Sequence, residues 1–164
     1  MLLTLFLLYF VLVNTFWIHT GLVVNASVCP NGAKEVGNIC LKYHEGSYVW
    51  SEARSYCKSN YGTDLLVVRN DAYISDIQNA VQNRRDHGFW VGATRKGNHF
   101  EWVNSSPCCG SYWNPSEPNG AQGSGDDCVH VWNSGSARGL NDVKCDDQIG
   151  FICEGHTTSS FQNL

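Results

Sequence analysis

The chain has no run of basic residues. Its 164 residues hold 11 Lys and Arg against 15 Asp and Glu, a net charge of −4, so it offers no electrostatic footprint for nucleic acid. Repeated acidic runs of the kind that would support a mineral-binding role are missing as well. No internal repeat and no long linker divides the sequence, which excludes a repeat array and, at this length, points to one domain. Gly-x-Ser-x-Gly and His-Glu-x-x-His do not occur. His44, His87, His99 and His130 are scattered, so the sequence shows no hydrolase or zinc-protease pattern and is read as a non-enzyme. Finally, no Asp, Glu, Lys or Arg precedes Lys34.

That charge-free start includes an almost wholly apolar run from Leu2 to Val13. It reads as a secretory signal peptide over residues 1–26, with small-residue cleavage points after Gly21 or Ala26. An uncleaved anchor is the alternative, since Met1 to Val24 is long enough to cross a bilayer. Asn14, Thr15, His19 and Thr20 interrupt it, however, and no basic flank fixes an orientation. Eight cysteines behind a secretory start imply an oxidising compartment and a disulfide frame. The expected localisation is therefore secreted and extracellular. Asn104-Ser105-Ser106 is a glycosylation acceptor pattern. Asn25-Ala26-Ser27 is a second, which cleavage after Ala26 would destroy.

Between the termini the pattern changes once. Cys29 to Tyr43 reads as an opening hairpin around Asn31-Gly32 and Gly37-Asn38. A first helix is expected over 47–60, capped by Ser47, with Trp50, Ala53 and Cys57 on one face. A short buried strand over 65–68 follows. A second helix is expected over 70–85, with Ile74, Ile77 and Val81 inward and Arg84-Arg85 at its C-terminal dipole. Strands are expected at 88–93, 100–103, 128–132, 143–145 and 150–154. From Ser105 to Asp127, Gly, Ser, Pro, Asn and Asp dominate; an irregular stretch of this length in a compact domain is commonly functional. Helices early and strands late give an α+β class. Residues 156–164 are polar and read as a frayed tail.

The chemistry concentrates in Glu117-Pro118-Asn119, Asp126-Asp127-Cys128 and Leu140-Asn141-Asp142-Val143-Lys144-Cys145. These segments offer carboxylate and amide oxygens, the hard donors Ca²⁺ takes in a flexible shell, not the soft nitrogen and sulfur set of zinc. A bland reading competes, because acidic and amide residues also make ordinary solvated turns. Pro118 suits a cis peptide, since proline alone makes that isomer cheap. Cys108 and Cys109 are sequence neighbours with Pro107 and Gly110 beside them. Across a trans peptide their Cα atoms would lie about 3.8 Å apart, below the usual disulfide span of about 4.4–6.8 Å. An intermolecular bond, giving a disulfide-linked homodimer, is the first expectation. A vicinal bridge is the second and a free thiol the third.

Cys40, Cys57, Trp90-Val91-Gly92, Trp113-Asn114-Pro115, Glu117-Pro118-Asn119, Cys128, Asn141-Asp142, Cys145 and Phe151-Ile152-Cys153 together resemble the C-type lectin domain in order and spacing, from about Cys29 to Glu154. The resemblance implies a lectin domain over 27–155, with two helices, small antiparallel sheets and a long calcium-binding loop. It implies the disulfides Cys29–Cys40, Cys57–Cys153 and Cys128–Cys145. It also implies a cis Glu117–Pro118 bond. Short secreted invertebrate lectins and perlucin-like shell proteins share this single-domain build.

Glu-Pro-Asn with Asn-Asp resembles the calcium-dependent, mannose-type subset. The implied Ca²⁺ ligands are Glu117, Asn119, Asp126, Asn141 and Asp142. The implied sugar-binding residues are Glu117, Asn119, Asn141 and Asp142, serving sugars with equatorial 3- and 4-hydroxyls: mannose, glucose, N-acetylglucosamine and fucose. The expected function is a secreted calcium-dependent carbohydrate-binding lectin, with recognition of microbes as one role. An extracellular or shell-matrix protein without sugar selectivity is the alternative. Three departures stand out. Asp126 occupies a place usually held by glutamate, so Asp126, Asp127 or a water completes the shell. Leu140 stands where tryptophan is common. Arg95, Lys96 and Gly120 occupy the region of a second calcium position found in some relatives.

Overall fold

The computed structural model describes residues 29, 32–81, 84, 87–132 and 139–156. The expected signal peptide, Asn25, Arg85 and residues 157–164 of the tail lie outside the described residues.

Trp50, Ala53 and Cys57 recur at helical spacing, and helix α1 (Trp50–Tyr61) forms with Ala53 and Cys57 buried. Ser47, expected as its cap, instead belongs to strand β2 (Ile39–Tyr48). The physical reason is that Tyr48 pairs with Ile149, which keeps the chain extended up to that point. Glu52 caps the helix by accepting the Val49 N–H at 3.4 Å. Gly62 stops it in the left-handed conformation, φ 64°, and donates its N–H to the Lys58 carbonyl at 3.1 Å, the usual glycine stop. Helix α2 (Asp71–Val81) is shorter than the expected 70–85. Asn70 Oδ1 accepts the Tyr73 N–H at 3.1 Å, and Ile77 and Val81 face the core. Arg84 falls beyond the helix. Its guanidinium lies 4.2 Å over the Tyr43 ring and pairs with Glu45 at 3.5 Å, so it serves the sheet rather than the helix dipole.

The remaining strands are β1 (Ala33–Val36), β3 (Asp64–Leu65), β4 (Gly88–Lys96), β5 (His99–Trp102), β6 (Cys128–Trp132), β7 (Leu140–Val143) and β8 (Ile149–His156). Their order is β1-β2-β8-β4-β6-β7, with β3 on β8 and β5 on β4. The small antiparallel sheets expected from sequence are joined into one mixed sheet, because β4 runs parallel to β8 at Phe89↔Gly150 and Trp90↔Phe151. The register at this seam buries Phe89, Trp90 and Phe151 completely. Trp90 Nε1 donates to the Tyr48 carbonyl at 2.7 Å and Trp50 Nε1 to the Val91 carbonyl at 2.9 Å, so large aromatic area is buried without stranding a polar tip. Gly92 is required here: a Cβ would lie 2.8 Å from Val103 Cγ2 and 2.9 Å from the Leu65 carbonyl oxygen.

Three disulfides join Cys29 to Cys40, Cys57 to Cys153 and Cys128 to Cys145. They are the three pairs the resemblance implies. The second fastens α1 to β8. The third ties the start of β6 to the segment just after β7. Together, β4, β6 and β7 form the platform on which the long loop between β5 and β6 rests.

Candidate functional site

The loop from Val103 to Asp127 is irregular yet anchored. Trp113 packs edge-on against Phe100 with ring centroids 5.0 Å apart. The Asn114 N–H donates to the Leu140 carbonyl at 2.9 Å, and the Glu117 N–H to the Asn114 carbonyl at 2.9 Å. Glu117–Pro118 is cis. These contacts set Glu117, Pro118 and Asn119 at the surface above β7.

Asp142 is the hub beneath them. Its side chain is fully buried. Oδ1 accepts the Asn119 N–H at 3.0 Å, and Oδ2 accepts the Gly120 N–H at 3.1 Å. Glu117 folds back on the same turn: Oε2 accepts the Asn119 N–H at 3.1 Å, and Oε1 accepts from Asn119 Nδ2 at 3.1 Å. Partial burial pushes the Glu117 carboxyl pKa up from its ordinary value, and the neighbouring Asp142 carboxylate pushes it the same way. Asp126 joins from the far side of the loop. A Cβ on Gly120 would lie 2.8 Å from Asp142 Oδ2 and 2.9 Å from Asp126 Oδ2, so both carboxylates converge over a residue that must lack a side chain. Asp126 Oδ2 also accepts from Ser124 Oγ at 3.1 Å.

Asn141 behaves differently. Successive residues of a strand point to opposite faces, and Asn141 turns away from the Asp142 hub. Its Nδ2 donates to the buried His130 Nε2 at 3.0 Å. Its Oδ1 is buried and has no hydrogen-bond partner. Burial lowers the His130 pKa from 6.5 to about 4, which keeps the ring neutral and able to accept. The structure thus brings Glu117, Asn119, Asp126 and Asp142 around one turn and leaves the Asn141 amide turned from it, against His130.

Among the described residues, no group of three or more His, Cys, Asp or Glu side chains is assembled as a metal cluster. The donor chemistry nonetheless fits a hard cation. The carboxylate oxygens of Glu117, Asp126 and Asp142 are hard donors, and Glu117 and Asp142 face each other as like charges; the unpartnered Asn141 oxygen, turned toward His130, is not one of them.

The residue that sequence reasoning undervalued is Arg95 on β4. Its Nε donates to Asp127 Oδ1 at 2.9 Å. Its Nη2 reaches the carbonyls of Gly120 at 2.8 Å and Asp126 at 3.1 Å, and Asp142 Oδ2 at 3.1 Å. Asp127 is therefore committed to Arg95. The sequence signal was an arginine at the end of an otherwise apolar strand, with carboxylates in excess on the facing loop. Lys96 is exposed at the strand end.

Cys108 and Cys109 correct the first expectation. They are bonded to each other rather than left for a second chain, and no described cysteine is free. The reason is packing: Cys109 is 2% exposed and belongs to the core cluster, and Cys108 packs against it. Asn104 is exposed, and its Oδ1 accepts from the Ser106 N–H and Oγ at 3.0 and 2.6 Å.

The family model for the Lectin C-type domain matches residues 46–155. A perlucin-like protein of Mytilus galloprovincialis is 28% identical over 132 residues, which is 76% of this chain and 81% of that protein. L-selectin of Rattus norvegicus is 27% identical over 147 residues, which is 84% of this chain but only 38% of L-selectin. Among solved structures, the Ca²⁺-independent C-type lectin SPL-2 from Saxidomus purpuratus superposes with a TM-score of 0.70 at 26% identity, covering 80% of this chain and 96% of that one.

Proposed function

The chain belongs to the C-type lectin domain family, and from that premise we propose that it is a secreted, calcium-dependent, carbohydrate-binding lectin for mannose-type sugars. The observation that carries this reading is the turn at Glu117–Asn119, whose carboxylate and amide sit at the surface on the buried Asp142. The residues that would hold Ca²⁺ are Glu117, Asn119, Asp126 and Asp142; Asn141, the fifth expected ligand, would have to turn from His130 to join them. A bound Ca²⁺ would supply coordination positions for two neighbouring sugar hydroxyls. The chain's own residues supply the rest. A carboxylate such as Glu117 accepts from a hydroxyl, and the amide nitrogen of Asn119 donates to one. The Glu-Pro-Asn order resembles that of the subset that takes equatorial 3- and 4-hydroxyls, the arrangement in mannose, glucose, N-acetylglucosamine and an equivalent orientation of fucose. The axial 4-hydroxyl of galactose fits this order poorly. The apolar run Leu2–Val13 and the disulfide frame support secretion. Among the described residues, no helix is long and apolar enough to cross a membrane.

A second reading is favoured by one observation. Asp142 Oδ2 is already bonded to a cation, Arg95, at 3.1 Å, and the structural neighbour SPL-2 is described as Ca²⁺-independent. Under that reading the same turn binds sugar with no metal. Retention of the secreted protein on immobilised mannose separates the two. Calcium-dependent binding gives retention in millimolar calcium and release by chelator. Retention that survives chelator supports the metal-free alternative, and no retention in either condition rejects both. Calcium uptake without sugar selectivity would instead favour the matrix alternative.

A further inference from the structure

We propose that Arg95 is a resident cation of the fold, a positioning residue that orders the Asn119–Asp127 turn without any bound metal. The acceptors of its guanidinium are four oxygens: Asp127 Oδ1, the Gly120 and Asp126 carbonyls and Asp142 Oδ2. They come from both ends of the loop segment 120–127 and from β7. An oxygen-only set gathered from separate segments is the kind a hard cation draws together. Here the cation is part of the chain, so it is present at all times.

The surroundings make those bonds count. The Arg95 side chain is 10% exposed, and its Cζ lies 4.3 Å over the Phe100 ring, which shields the charge from water and salt. The Arg95 N–H also donates to the Asp127 carbonyl at 2.8 Å, fixing the base of the side chain to the loop. Asp142, with its side chain fully buried, would be an uncompensated charge without this partner. The same Asp142 carboxylate holds the Asn119 and Gly120 amides. Arg95 therefore acts on the surface turn through Asp142 and through the two loop carbonyls. Lysine would keep the charge but not the planar fork that reaches several acceptors in fixed directions.

This inference concerns the metal-free protein and does not rest on sugar binding. Hydrogen–deuterium exchange of the full secreted protein in chelator tests it. The Asn119 and Gly120 amides of the wild type should be protected. In Arg95→Gln they should exchange at least about tenfold faster, as the loss of bonds to a charged group implies, while amides of β2 and β8 keep their rates. Arg95→Lys should recover part of the protection. Should Arg95→Gln fail to fold, Asp127→Ala removes only the half-exposed acceptor and should give a smaller acceleration in the same amides. Unprotected wild-type amides in chelator, or unchanged exchange in the variants that fold, would overturn the proposal. So would Arg95→Lys protecting no better than Arg95→Gln. Failure to bind mannose by a protein whose turn stays protected would count against the lectin reading and leave this one standing.

Discussion

Replacing Asp142 by alanine tests whether this carboxylate carries the loop. The change removes the acceptor of three hydrogen bonds, from the Asn119 N–H, the Gly120 N–H and Arg95 Nη2. Bonds to charged groups are worth about 1.5–3 kcal/mol each, but those sharing one acceptor do not add. Removing one partner of a buried ion pair costs about 3–5 kcal/mol. Arg95 keeps Asp127 and two carbonyls, so the loss should fall at the low end, about 3 kcal/mol. Asp142→Asn keeps the shape and one oxygen acceptor while losing the charge, and should cost roughly half as much. Urea unfolding in chelator reads both as shifts of the midpoint at constant slope. With free calcium at about a hundred times its Kd, the wild type should gain about 2.7 kcal/mol, and Asp142→Ala should gain almost none. A loss below about 1 kcal/mol for Asp142→Ala in chelator would refute the reasoning, because the loop would then be held by something else.

Three further outcomes are expected. Glu117→Gln with Asn119→Asp should move sugar preference toward galactose in competition elution; unchanged preference would mean the sugar is read elsewhere. His130 has its folded pKa lowered from 6.5 to about 4, so its contribution to stability is present above 6.5 and is lost as pH falls toward 4. That amounts to about 2 kcal/mol between pH 7 and pH 5. Urea titrations at the two pH values should show it, with half-buried His44, also lowered to about 4, adding less; equal stabilities would contradict the burial of His130. Because Cys108 and Cys109 are bonded to each other, non-reducing electrophoresis should show a monomer, and a dimer that collapses on reduction and disappears on replacing both by serine would contradict the pairing.

The fold was legible wherever the signal was local and repeated. Helical spacing of Ala53 and Cys57 and of Ile77 and Val81 located both helices, and the apolar runs located most strands. Boundaries failed where tertiary pairing decided them. Ser47 has the chemistry of a cap, yet the β2–β8 ladder claims it. The joining of two ladders through β4 and β8 is a parallel pairing of distant segments, and no local pattern encodes it. Motif order singled out Glu117, Asn119 and Asp142, and the place of Asp126 two residues before Cys128 singled it out; the structure gathers these four around one turn. The direction of Asn141 was not legible, because a neighbouring pair in a strand diverges. The partnership of Arg95 with four oxygens was hidden because they belong to segments 25 to 47 residues away. The same held for Cys109, whose loop sequence is polar and glycine-rich while its side chain is buried.

The central claim, that the Glu117–Asn119 turn reads sugar hydroxyls with the help of calcium, is tested most directly by a glycan-binding screen of the secreted protein. It is run once in millimolar calcium and once in chelator. The expected result is binding confined to glycans ending in mannose, glucose, N-acetylglucosamine or fucose, abolished by chelator. Equal binding in chelator, or a preference for galactose-terminated glycans, would contradict it.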